Sequence, residues 1–228
     1  MKIDSSIRAR WYGGKLRGVD AIIFHYTANS GTTATARSNA NYFATTDRKA
    51  SAHYIVDSGD TVYQTVPENL TAYAVGDGQS GSYGGKIGNY NSISIEMVSC
   101  TDAAGAYYIP YVTMKHAAEL YRRLKEKYQN AIPLRHYDIS RKLCPAPLVD
   151  AEKWEAFKTM LEDDMNGEEI YTRLNEYLTT QDAPAWAADE LEQAKQMGIT
   201  DGTKPMALIP RYQAAIMCKR AVEAALKK

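Results

Sequence analysis

Up to about residue 165 the chain alternates short apolar runs with amphipathic stretches, and the two periodicities predict different elements. AIIFHY at 21–26 is an apolar run rich in strand formers. HYIVD at 53–57 and TVYQTV at 61–66 read as a hairpin across Ser58, Gly59 and Asp60. ISIEMV at 93–98 predicts a further strand, with Ile93, Ile95 and Met97 on one face and Ser94, Glu96 and Val98 on the other. From Met114 the positions Ala117, Tyr121, Leu124 and Tyr128 recur at helical spacing behind a Thr113 cap. Asp150 caps a second helix whose Trp154, Phe157 and Leu161 form one stripe. DGQSGSYGGKIGNYN, at 77–91, fits neither periodicity and predicts a long surface loop of the kind that borders a site. The sum is an α/β domain with a central β-sheet flanked by helices.

Beyond about residue 168 the pattern becomes almost wholly helical: IYTRLNEYL, PAWAADELEQAKQMGITDG and IPRYQAAIMCKRAVEAALKK, separated by turns at Asp182–Pro184 and Gly198–Pro210. The expected organisation is therefore a domain over 1–165 and a small C-terminal helical module over 166–228. With 228 residues, 45% of them hydrophobic, the chain can bury one sizeable core and a small appendage. Acidic and basic residues number 27 each, so no whole-chain field favours nucleic acid or an anionic membrane. The N-terminal stretch lacks the apolar core of a signal peptide and no later run is long enough to span a bilayer, which predicts synthesis in the cytoplasm and no membrane insertion. Three cysteines, far apart, argue against a disulfide framework.

Candidate chemistry concentrates in RHYDISRKLCP at 135–145, which places His136, Lys142 and Cys144 within nine residues of a chain holding only four histidines. A histidine and a thiolate can share a metal, yet catalytic zinc usually takes three protein ligands. His116 sits beside Lys115 in the first turn of a helix and reads as a surface residue. His25 falls on the strand face opposite Phe24, either as a neutral core histidine or as a ligand, and His53 could reach the same face from a neighbouring strand. Cys144 alone is equally an inert buried thiol, or a nucleophile with His136 as its base. Asp138 is an orienting acceptor or a local cap.

FHYTA, SAHYIVDSGDTVYQTVPE, NSISIE and RHYDISRKLCPAP occur in an order and spacing that resemble the zinc-dependent N-acetylmuramoyl-L-alanine amidases of type 2, a family that includes phage endolysins, bacterial autolysins and peptidoglycan recognition proteins. The resemblance covers roughly residues 15–160. It implies a mixed central sheet, with His25, His136 and Cys144 as zinc ligands and Glu96 as catalytic base. Lys142 falls where some phage members carry a lysine that assists catalysis; it is either a group that stabilises a developing oxyanion or an exposed loop lysine. Those members have tyrosine where this chain has Ala52 and lack the glutamate, so the chain resembles the glutamate-using branch. His53 is either a substrate-binding residue of the cleft or a satisfied histidine on the sheet, and Tyr73, Tyr83 and Tyr90 could line a groove for sugar and peptide. The implied activity is hydrolysis of the amide between N-acetylmuramic acid and the first L-alanine of the peptidoglycan stem. The implied setting is an endolysin or autolysin made in the cytoplasm and acting on the wall after release. The opposing reading is a recognition module that binds peptidoglycan without cleaving it.

The tail, over roughly residues 180–222, resembles surface-layer-homology modules that anchor proteins to cell walls: Trp186 opens one helix, a Gly198-Ile199 step ends it, and a second helix begins near Arg211. Trp186, Leu191, Ala194 and Met197 fall near one helical face, while Tyr212 and Ile216 offer another. Wall binding is the expectation for this module, and a homodimer interface is the rival.

Overall fold

In the computed structural model the described residues are 1–163, 167–207 and 211–226. They fall into two compact units, Met1–Asp163 and Asp164–Lys228. The 165/166 boundary expected from the sequence, and the end of the Gly198–Pro210 turn, lie outside the described residues.

The strands are β1 (Lys2–Asp4), β2 (Ala21–Tyr26), β3 (Tyr54–Val56), β4 (Thr61–Gln64), β5 (Ser92–Met97), β6 (Cys100–Thr101), β7 (Tyr107–Tyr108) and β8 (Ile132–Arg135). The helices of the first unit are α1 (Ala36–Thr45), α2 (Tyr111–Lys127), α3 (His136–Ser140) and α4 (Ala151–Glu162). Six strands form one sheet in the order β1-β4-β3-β5-β2-β8, and β6 pairs with β7 alone. Only β3 and β4 run antiparallel within the large sheet, so it is mixed, as the sequence predicts. The hairpin over residues 58–60 is that antiparallel pair.

The period-2 pattern of the strands sorts the molecule into two faces. Ile22 and Phe24 of β2, Ile93, Ile95 and Met97 of β5, and Tyr54 and Val56 of β3 pack on α2 and α4 through Leu120, Leu124, Trp154, Phe157 and Leu161. Phe24 meets Phe157 edge to face at 5.0 Å and Trp154 at 6.1 Å. The opposite face is only partly covered. Ile55 packs there on Ala36 and Ala40 of α1, while Ala21 and Ile23 pack on Val75, Leu134 and Ile139. His25, Ser94 and Glu96 therefore project on the face that apolar packing leaves open, because Phe24 and Ile95 take the other one.

Asp150 caps α4 as expected, accepting from the Lys153 amide at 3.0 Å. Thr113 does not cap α2. That helix begins at Tyr111 behind Pro110, and Thr113 lies inside it, buried and hydrogen-bonded to Ser58 at 3.0 Å. Proline supplies the entry geometry that the sequence reading gave to threonine. Helix α1 has no apolar stripe to announce it, because ARSNANYFAT buries only Ala36, Asn39 and Ala40. Its start is fixed by a capping box between Thr35 and Ser38.

The second unit contains α5 (Gly167–Thr179), α6 (Ala188–Gln196) and α7 (Arg211–Leu226). None of its described side chains is buried, and Trp186 is 81% exposed. No described helix is long and apolar enough to cross a membrane.

Candidate metal and catalytic site

The parallel pairing of β2 with β5 sets His25 directly beside Glu96. Strand β8, on the other side of β2, runs into α3, whose first residue is His136. The chain then returns through Arg141 in the left-handed region, φ 63°, to Cys144, whose carbonyl accepts from the Tyr137 amide at 2.8 Å. One strand, one helix start and one loop thus deliver three donors to the same point.

His25, His136 and Cys144 are 2%, 1% and 5% exposed, and their ligand atoms lie within 4.8 Å of one another. His25 Nδ1 is 3.7 Å from Cys144 Sγ, and the two imidazoles meet at 4.8 Å between centroids. His25 Nε2, His136 Nδ1 and Glu96 Oε2 are sealed from solvent without a hydrogen-bond partner. Buried polar atoms are rarely left so. The trio is a candidate metal site. A cleft of about 350 Å³ opens over it, lined by these residues with Glu96, Lys142 and the aromatic side chains of Tyr26, Tyr42, Phe43 and Tyr73.

Burial dominates the electrostatics of the cluster. Burial holds His25 well below the usual histidine range, helped by His136 and Lys142, and burial also lowers His136 against the pull of Asp77. Burial and the neighbouring Glu96 push the Cys144 thiol up. Burial carries Glu96 up to about 8, with Lys142 opposing.

Five of the six expected site residues come together: His25, His136, Cys144, Glu96 and Lys142. His53 does not join them. It is fully buried, donates through Nε2 to the Leu70 carbonyl at 2.9 Å and accepts at Nδ1 from the Ser94 amide at 3.0 Å. Neither nitrogen is left for a substrate. Tyr73 lines the cleft, whereas Tyr90 lies in a separate pocket under Arg17. His116 bonds the Asp57 carbonyl at 2.8 Å, and Asp138 pairs with Arg135 at 2.7 Å while accepting from its backbone amide.

Residues 15–147 match the family described as N-acetylmuramoyl-L-alanine amidase. The chain belongs to that family. Among curated relatives, this amidase-family chain is 38% identical over 155 residues to the amidase CwlL of Bacillus licheniformis, covering 64% of this chain and 41% of that one. It is 32% identical over 173 residues to the amidase BlyA of Bacillus subtilis (strain 168), covering 69% and 45%. The chain thus spans less than half the length of these relatives. Among solved structures, the catalytic domain of XlyA superposes with a TM-score of 0.54 at 26% identity, over 71% of this chain and 99% of that one.

One charged residue at this amidase-family site is absent from the sequence reading. Asp77 Oδ1 lies 2.6 Å from His136 Nε2, and Oδ2 lies 3.1 Å from Lys142 Nζ. Burial alone would raise its pKa, but the bond from His136 and the charge of Lys142 bring it down to about 2. Its only signal in the sequence was its position at the head of the glycine-rich segment.

Proposed function

We propose that the first unit is a zinc-dependent amidase that hydrolyses the bond between N-acetylmuramic acid and the first L-alanine of the peptidoglycan stem peptide. The observation that carries this reading is the buried cluster of His25, His136 and Cys144 beside Glu96, in a chain of the amidase family. Two imidazoles and one thiolate are donors of the kind zinc takes, and their ligand atoms lie within 4.8 Å of one another. A tetrahedral ion with bonds of about 2.0 Å to nitrogen and about 2.3 Å to sulfur holds those atoms about 3.5 Å apart. His25 Nδ1 and Cys144 Sγ stand at 3.7 Å.

His25, His136 and Cys144 would hold the ion, which supplies Lewis acidity toward the scissile carbonyl and lowers the pKa of water in its reach. Glu96 accepts the proton of the attacking water and returns it to the departing amine of alanine, leaving a lactyl carboxylate and a free amino group. Its burial serves this role, since a carboxyl group poised near neutrality can both take and give a proton. Lys142, at the mouth of the cleft, places positive charge where the carbonyl oxygen becomes negative. The aromatic walls, Tyr26, Tyr42, Phe43 and Tyr73, offer flat surfaces for sugar and peptide. A recognition module without catalysis would need neither the complete donor set nor a buried carboxylate beside it.

The test is metal removal. Chelator-treated protein should lose its action on soluble muropeptides and regain it with about one zinc per chain, and His136→Ala should take up little zinc. Undiminished turnover by a zinc-free preparation contradicts the reading.

For the second unit we favour attachment to the wall. Exposed Trp186, Tyr177 and Tyr212 give it aromatic surface, and an enzyme on an insoluble polymer gains effective concentration from a second contact. A chain ending at Asp163 should keep its zinc and its action on soluble fragments yet sediment less with intact walls. Equal sedimentation rejects wall binding, and a change from two chains to one per particle on truncation identifies a dimer interface instead.

A further inference from the structure

The glycine-rich segment after Asp77 is not a free loop but a clamp on α3. The Gly81 amide donates to the Ile139 carbonyl at 2.8 Å, the Tyr83 amide to the Asp138 carbonyl at 2.9 Å, and Ser80 Oγ to the Ser140 carbonyl at 3.0 Å. The approach is so close that a Cβ on Gly81 would lie 2.2 Å from the Asp138 oxygen. Glycine is required there because any side chain would lift the segment off the helix. The clamp seats Asp77 against the outer nitrogen of His136.

That contact decides which nitrogen His136 offers. With Nε2–H donating to the carboxylate, the lone pair is on Nδ1, and Nδ1 is the atom that is buried without a partner. His25 has no such outer carboxylate, since its Nε2 is unpartnered. Lys142 completes the arrangement, holding the other Asp77 oxygen and keeping its ammonium group at the cleft.

We propose that Asp77 is a positioning residue of the metal site: it fixes the ring tautomer and direction of His136 for metal binding and tethers Lys142 beside it, with the glycine clamp on α3 holding it in place. This rests on the reading of His136 as a zinc ligand. Carboxylates behind ligating histidines raise imidazole basicity, and losing one typically lowers metal affinity by about 10- to 100-fold.

The experiment measures zinc affinity by competition with a chromophoric chelator, beside the melting temperature of the metal-free proteins. Asp77→Ala should bind zinc about 10- to 100-fold more weakly than wild type. Asp77→Asn, which still accepts from Nε2–H but carries no charge, should fall between them. Lys142→Met should not weaken zinc, because it leaves the His136 contact intact. Equal affinity in wild type and Asp77→Ala overturns the proposal, as does a loss in Lys142→Met equal to that in Asp77→Ala. A role confined to packing would lower the metal-free melting temperature and leave affinity unchanged. Should Asp77→Ala not fold, Asp77→Asn carries the test, with several-fold weaker binding expected and wild-type affinity contradicting it. A wild type that takes up no zinc overturns the functional reading itself.

Discussion

Two regions on the same side of the sheet hold buried histidines and treat them in opposite ways. Beside β3, His53 is sealed from water, and both nitrogens are spoken for by the backbone of Leu70 and Ser94. Between β2 and α3, His25 and His136 are as deeply buried, yet each keeps a nitrogen without a hydrogen-bond partner. Burial alone does not separate the two settings; the accounting of hydrogen bonds does. His53 ties backbone segments together through both nitrogens, whereas His136 spends only Nε2, on Asp77, and His25 only Nδ1, against Cys144.

The largest effect that tests this contrast is on the reaction. Glu96→Gln keeps the shape of the side chain and removes the base, so turnover of soluble muropeptides should fall by about 10²-fold or more with zinc content unchanged. Unaltered turnover would move the base to another residue. Next in size, His53→Ala strands the Ser94 amide and the Leu70 carbonyl in the interior. Chemical denaturation should show a loss of about 2–4 kcal/mol, with the folded fraction still binding one zinc. A selective loss of substrate affinity at full stability would instead return His53 to the cleft.

The smallest effect is in the pH dependence of stability. Burial lowers His53 to about 4, against the opposing bond to Leu70, so it stays neutral in the folded protein where the unfolded chain takes up a proton. Its contribution is complete above the unfolded value of about 6.5 and is lost as pH falls from there toward about 4, at up to about 1.4 kcal/mol per pH unit. In His53→Gln that part of the slope should vanish. A slope identical to wild type in denaturant titrations at pH 6.5, 5.5 and 4.5 would assign the acid sensitivity to other groups.

The same contrast explains what could be read before any coordinates. Strand alternation placed Phe24 and His25 on opposite faces, and Ile95 and Glu96 likewise, because period-2 geometry needs no tertiary information. The spacing in RHYDISRKLCP brought His136, Lys142 and Cys144 to one neighbourhood for a similar reason, since a short helix and a tight return span so little chain. For His53 the choice between cleft and sheet stays open in the sequence because its partners, Leu70 and Ser94, are 17 and 41 residues away and are backbone groups, which leave no mark in side-chain identity. Asp77 escaped for a related reason. Its pairing with His136 spans 59 residues and depends on glycines that let the segment touch α3. Helix α1 was hidden because its buried positions are small or polar.

The most direct test of the account is the chemistry of the cut. Purified sacculi digested with zinc-loaded protein should release new amino groups belonging to L-alanine, one for each lactyl carboxylate freed on muramic acid, with no new reducing sugar ends. New reducing ends, or amino groups from any other residue of the stem, would contradict the assignment of this site to the muramoyl–alanine amide.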